Sequence, residues 1–186
     1  MKPGARILAV DDSPFSKSAK QVLCIGVIAR ESVEGREVEG VISFSVEKDG
    51  FNSTNKLIHA IKHSRFRKQI QLILVQSITL AGFNLLDLKK VFSELRIPIL
   101  CVVRRKPNEK KVLNALGKLP HFEKRIALIK NAGEISSVGK LFYYGKGLSN
   151  GEAKTMLKKF DGFPWPLRLA HLIASGIVSG ESKGRA

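Results

Sequence analysis

The apolar pattern of this chain changes its period near residue 50, and that change limits the fold more than any composition figure does. Before it lie three apolar runs of strand character. Arg6 to Asp12 holds Ile7, Leu8, Ala9 and Val10 in succession and ends in two acidic residues. Gln21 to Ala29 is rich in Val and Ile, and Glu37 to Lys48 carries Val41, Phe44 and Val46. The links are short: Ser13-Pro14 breaks the first run, and the polar segment Arg30 to Arg36 joins the second to the third. Short links between strand-like runs predict an antiparallel three-stranded meander.

After residue 52 the pattern alternates. Ser53 to Arg67 places Leu57, Ile58, Ile61 and Phe66 at helical spacing, with Ser53 or Thr54 as the expected N-cap. Gln69 to Gln76 is a continuous apolar run, as in a strand buried on both faces. A second amphipathic helix is predicted over Asn84 to Leu95, and another buried strand over Pro98 to Arg104. Helices follow near Asn108 to Gly117 and Pro120 to Asn131, then a short edge strand at Leu141 to Gly145. The box Ser149-x-x-Glu152 opens a helix to Phe160, and Pro166 to Val178 reads as the last one. The order β-β-β-α-β-α-β predicts an α/β chain: a five-stranded mixed sheet flanked by helices, a meander followed by right-handed crossovers. One natural solution sets the first strand centrally, beside the strand ending at Gln76, which is the ribonuclease H-like architecture. Folds that alternate β and α from the start fit less well, and no G-x-G-x-x-G follows the first strand. No long linker or repeat divides residues 1–186, so one domain is expected.

Charge sets the partner class. Thirty-two Lys and Arg against 16 Asp and Glu give a formal net charge of +16, which points to nucleic acid, bound through its phosphates. A diffuse solubilising surface is the plain alternative. No apolar run approaches the roughly 20 residues that span a bilayer, and the start lacks a signal-peptide core, so a cytoplasmic protein with no membrane partner is expected. Cys24 and Cys101 each sit in an apolar run and read as small buried hydrophobes.

Asp11-Asp12, at the carboxyl end of the first strand, is the most informative acidic feature, because open sheets bind ligands beyond the carboxyl ends of parallel strands. Consecutive strand residues face opposite ways, which singles out Asp11. Asp49, or Glu47 on the same face, would supply a second carboxylate. Carboxylates converging from separate strands suit Mg²⁺ or Mn²⁺, which can activate water on a phosphodiester. The turn chemistry of Asp-Ser-Pro-Phe explains Asp11-Asp12 without any metal. His59 and His63 share an i,i+4 spacing with no third zinc ligand in view, and His171 reads as a packed polar residue. Arg104-Arg105-Lys106 ends a parallel strand on the edge that carries Asp11 and reads as phosphate-binding. The Lys62 to Lys68 cluster ends a helix, where the dipole alone accounts for it, and the tail Gly180 to Ala186 reads as a frayed terminus.

Four segments taken together resemble a known family. They are Ile7 to Phe15, Ser64-Arg65-Phe66-Arg67, Ala81-Gly82-Phe83-Asn84, and Pro166 to Ala174 continuing into Gly180 to Ala186. In this order they resemble the archaeal endonuclease dU family, related in fold to endonuclease V, which nicks nucleic acid beside deaminated bases with Mg²⁺. The resemblance implies a Mg²⁺-dependent endonuclease on DNA rather than RNA, in DNA repair. It places Asp11 on the metal aspartate of the first strand and Asp49 near the acidic residue before the first helix. The third carboxylate belongs at the end of the strand Gln69 to Gln76, where relatives usually read Asp-Gly and this chain reads Gln76-Ser77. The amide keeps a carbonyl oxygen for a metal but removes one negative charge. Arg65, Arg67, Arg104, Arg105 and Lys106 are the expected nucleic-acid contacts. The loop Ile78 to Phe83 with Asn84 is the expected wedge beside an extruded base. The rival readings are a non-catalytic nucleic-acid binder on this fold, favoured by Gln76, and a scaffold protein.

Overall fold

The computed structural model describes residues 5–32 and 35–182. The turn between the second and third strands, at residues 33–34, and the last four residues of the tail lie outside the described residues. The meander is formed by β1 (Arg6–Asp12), β2 (Gln21–Ser32) and β3 (Gly35–Glu47). Then come α1 (Ser53–Lys62), β4 (Ile70–Gln76), a small hairpin of β5 (Thr79–Leu80) and β6 (Asn84–Leu85), α2 (Leu88–Leu95) and β7 (Ile99–Val103). The remainder is α3 (Glu109–Leu116), α4 (Phe122–Ala132), β8 (Ser136–Val138), β9 (Leu141–Lys146), α5 (Asn150–Lys158) and α6 (Trp165–Ser179).

The main sheet has seven strands in the order β3-β2-β1-β4-β7-β9-β8, two more than the five expected, because β9 adds antiparallel to β7 and β8 pairs with β9 beyond it. β1 is interior, antiparallel to β2 and parallel to β4, as the ribonuclease H-like solution requires. Strand alternation sorts its side chains. Leu8 and Val10 pack with Leu57 and Ile61 of α1 and Leu88 and Val91 of α2. Ile7 and Ala9 pack with Met156 and Leu157 of α5 and Leu167 of α6. Burying both faces of β1 and β4 explains their unbroken apolar runs, each such side chain contributing roughly 1.5–3 kcal/mol.

Two helix boundaries differ from the sequence reading, for one shared reason. α1 is capped at Asn52, not by Ser53 or Thr54. The Ser53 hydroxyl donates to the Leu85 carbonyl at 3.2 Å, and the Thr54 hydroxyl accepts from the Asp87 N–H at 2.9 Å. α2 starts at Leu88, not Asn84, because Asp87 accepts from the Lys90 N–H at 3.0 Å and caps it there. Residues 84 and 85 are drawn into β6 instead. Long-range hydrogen bonds thus override local propensity at both sites. The Ser149–Glu152 capping box forms as expected.

Candidate metal and nucleic-acid site

The carboxyl edge of β1, β4 and β7 gathers most of the polar residues singled out above. Asp11 is 2% exposed and lies on the α6 face of the sheet. Its Oδ2 is 2.9 Å from Nδ1 of His171, half-buried on α6. Either an ionised carboxylate facing a ring N–H or a protonated carboxyl facing a bare ring nitrogen satisfies that hydrogen bond. Asp12 points to the other face, where its Oδ2 accepts the Ala81 N–H at 2.8 Å. Even so, the two carboxyls meet around the end of the strand. Burial, then the neighbouring Asp12 charge, push the Asp11 pKa up to about 8, and a hydrogen bond between the carboxyls acts in the same direction. Burial likewise raises Asp12. The alternation rule that separated the pair holds for direction but not for proximity.

Gln76 ends β4 one register step beyond the pair Val10–Val75, beside Asp11 and on the same sheet face. Its Oε1 is buried and has no hydrogen-bond partner. A buried carbonyl oxygen without a donor is costly and rare. The donor set therefore suits a hard cation: a buried carboxyl held up by lack of countercharge, next to an unused oxygen. Among the described residues, no cluster of three or more His, Cys, Asp and Glu forms a ready metal cage. Asp49 is thus not brought into one cluster with Asp11 and His171.

Asp49 reaches this edge from the loop after β3, with a positive φ of 53°. Its N–H donates to the Ala81 carbonyl at 2.9 Å, and its Oδ1 accepts the Phe83 N–H at 2.8 Å, leaving Oδ2 as its remaining acceptor. Asp12 and Asp49 thus grip the same turn, Ala81 to Phe83. Gly82 is required there: φ is +84°, and a Cβ would stand 2.4 Å from Asp49 Oδ1. Glu47, the alternative ligand, turns back over Gly50.

Arg125 of α4, which sequence reasoning missed, locks this loop from below. It is 1% exposed. Its guanidinium donates to the carbonyls of Phe83, Asp49 and Gly50, and its Nε to Pro120 at 3.1 Å. Phe51 lies 4.3 Å from it, ring centroid to guanidinium carbon. Burial lowers its pKa, and the Asp49 charge opposes that shift. His171 was also missed, since it was read as ordinary packing. One sequence cue was available, a single histidine inside an otherwise apolar helix.

The basic residues divide between two edges. Arg104, Arg105 and Lys106 extend from β7 at the carboxyl edge, with Arg104 stacked 4.1 Å over the Phe163 ring. Arg65 and Arg67 precede β4 and lie at the opposite edge, a seven-residue strand away, roughly 20 Å. The structure does not bring them to Asp11. Nor is Asn84 free to wedge beside a base. It is 0% exposed, its amide donating to Glu47 O and Asn52 Oδ1 while its oxygen accepts the Ser53 N–H. His59 of α1 and His63, one residue beyond it, lie ring to ring at 4.0 Å. Beside Ser77 and Lys106 opens a cleft of about 620 Å³ between α3 and α4, walled mainly by apolar groups such as Ile78, Phe83, Val112, Ile126 and Ile129.

The raised Asp11 carboxyl has a thermodynamic signature. The unfolded chain releases this proton near pH 4 and the folded chain near pH 8, so folding takes up a proton between those values. In EDTA, unfolding free energy is expected to fall as pH rises through that window, by on the order of a few kcal/mol, and to level off above it. Denaturant titrations of the native protein and of Asp11→Asn check this. The variant should lose most of the slope, and an unchanged slope would refute the assignment.

Comparisons with known proteins agree with this architecture. The family model described as endonuclease dU matches residues 3–178. A UPF0215 protein of Archaeoglobus fulgidus is 36% identical over 184 residues, covering 97% of this chain and 98% of the relative. Among solved structures, a protein of unknown function from Archaeoglobus fulgidus aligns with a TM-score of 0.84 at 35% identity, covering 92% of this chain and 97% of that one. Endonuclease V of Ciona intestinalis, in complex with a 24mer DNA containing an inosine followed by a ribo-adenosine, aligns with a TM-score of 0.54 at 12% identity over 90% of this chain and 82% of that one. The last likeness shows a shared fold.

Proposed function

The chain belongs to the endonuclease dU family, and from that premise we propose that it is a divalent-metal-dependent endonuclease that cuts DNA beside deaminated bases. The observation that carries this reading is the buried Asp11 carboxyl placed between His171 and the unpartnered Gln76 oxygen at the carboxyl edge of an interior strand. Asp11 and Gln76 would hold Mg²⁺ or Mn²⁺, and Asp49 would set the turn at Ala81 to Phe83 beside them. Such an ion supplies a polarised water and neutralises charge on the scissile phosphate. Asp11 orients the His171 ring through its Nδ1, leaving Nε2 to give a proton to, or take one from, an oxygen at the phosphorus. Arg104, Arg105 and Lys106 neutralise backbone phosphates on the same edge. The apolar cleft beside Ser77 has the volume and lining to receive an extruded base, and Phe83, rather than the buried Asn84, stands at its wall. No helix among the described residues is long and apolar enough to cross a membrane.

Gln76 favours a second reading, a binder on the same fold that does not cut. The two separate on a nicking assay with uracil- or inosine-containing duplex, with Mg²⁺ or Mn²⁺ and in EDTA. Metal-dependent nicks beside the modified base are expected. Gln76→Asp should lower the half-saturating metal concentration about tenfold by restoring one negative charge. No nicking by either protein at any metal concentration would favour the binder.

A further inference from the structure

A second groove, of about 630 Å³, opens one residue beyond Asp12, on the α6 face that Asp11 and His171 share. It is bounded by the β1–β2 loop, Leu23 and Ser45 of the meander, and Val178 and Ser179 at the end of α6. Its rim carries Phe15, 39% exposed although it is a large apolar ring. The Lys48 ammonium lies 5.9 Å from that ring, and the same ammonium bonds the Lys17 carbonyl. Lys17 and Lys20 are exposed on the same loop. Among the described residues no carboxylate lines the groove, while Ser13, Ser16, Ser45 and Ser179 do. Val178 is two helical turns from His171, about 10 Å along one stripe of α6, so the groove runs on directly from the candidate phosphodiester site.

We infer that this groove is a track for an unpaired stretch of the DNA strand next to the scissile phosphate, with Phe15 as a stacking platform for one base and Lys17, Lys20 and Lys48 beside its phosphates. An exposed aromatic ring set among lysines and over hydroxyls is complementary to single-stranded nucleic acid. The inference rests on the proposed nuclease site for its direction along the strand. It assigns a position outside the catalytic residues and on the other side of them from the base-receiving cleft.

The test separates the two. Binding of a fluorescein-labelled 12-mer oligothymidylate is followed by anisotropy in EDTA, where no cutting occurs. Phe15→Ala should weaken binding about tenfold, the size of one lost base stack, and Phe15→Trp should restore it. The emission of Phe15→Trp, corrected for Trp165 by subtracting the parent protein, should be quenched when oligothymidylate is added. Lys48→Ala should weaken binding and flatten its salt dependence. Binding by Phe15→Ala within twofold of the parent, or unquenched emission from Phe15→Trp, would overturn the track. Quenching in a protein that nicks no substrate would leave the track standing and refute the nuclease.

Discussion

Replacing Asp11 by asparagine is expected to lower single-turnover nicking of a uracil- or inosine-containing duplex by on the order of a thousandfold in saturating Mg²⁺. The variant keeps the shape of the side chain and removes the charge. Asp11 is buried, its pKa stands near 8, and its partners are a histidine nitrogen and a second carboxyl. Folding should survive the change and gain on the order of a few kcal/mol above pH 8, where the parent carries an uncompensated buried carboxylate. Loss of nicking with retained or increased thermal stability therefore assigns Asp11 to chemistry. Equal nicking by parent and variant would end the proposal. Asp12→Asn offers a contrast, since Asp12 accepts the Ala81 N–H and an amide oxygen can do the same. A much smaller loss is expected there.

The largest stability effect is expected at Arg125. Arg125→Met should lower unfolding free energy by roughly 3–5 kcal/mol, which for a chain of this length is about 10 °C in melting temperature. The methionine fills part of the volume but leaves the carbonyls of Asp49, Gly50, Phe83 and Pro120 without a donor in a dry site. Lysine should not rescue it, because one ammonium cannot span carbonyls arranged around a planar fork. Differential scanning calorimetry measures the stability loss. Metal titration of nicking at low temperature measures the second effect, a rise in half-saturating metal concentration as Asp49 loses its support. A melting temperature within 2–3 °C of the parent would show that the guanidinium is dispensable, since that corresponds to about 1 kcal/mol.

The layers of this fold were legible from residue pattern because they follow from burial. The unbroken apolar runs of β1, β4 and β7 are buried on both faces, as their composition demands. Asn84 and Leu85, the second strand of the 79–85 hairpin, were read as the start of a helix because they fit a helical face, and Ile78 to Phe83 was read as a loop. The hairpin turn is held by Asp12 and Asp49, whose contacts span 69 and 34 residues and leave no trace in local sequence. The same separation hid His171 and Arg125. One looked like an ordinary polar residue in an apolar helix, and the other was one of 32 cations. That Arg65 and Arg67 lie at the end of β4 away from Asp11 could not be read from composition: two basic clusters of similar make-up occur, and composition carries no information about which end faces the acids. Gln76 was identified by its position, yet only the fold reveals that its oxygen is buried and unpaired.

The hydrogen bond between Asp11 and His171 joins residues 160 apart in the chain. On the ribosome, the first strand and its hairpin partners emerge long before α6 has been synthesised. During that interval Asp11 has no imidazole partner, and β1 lacks the helix that covers this face. The contact can close only after residue 171 has been made. A chain stalled or clipped ahead of residue 171 can pair its meander but cannot assemble the Asp11–His171 couple.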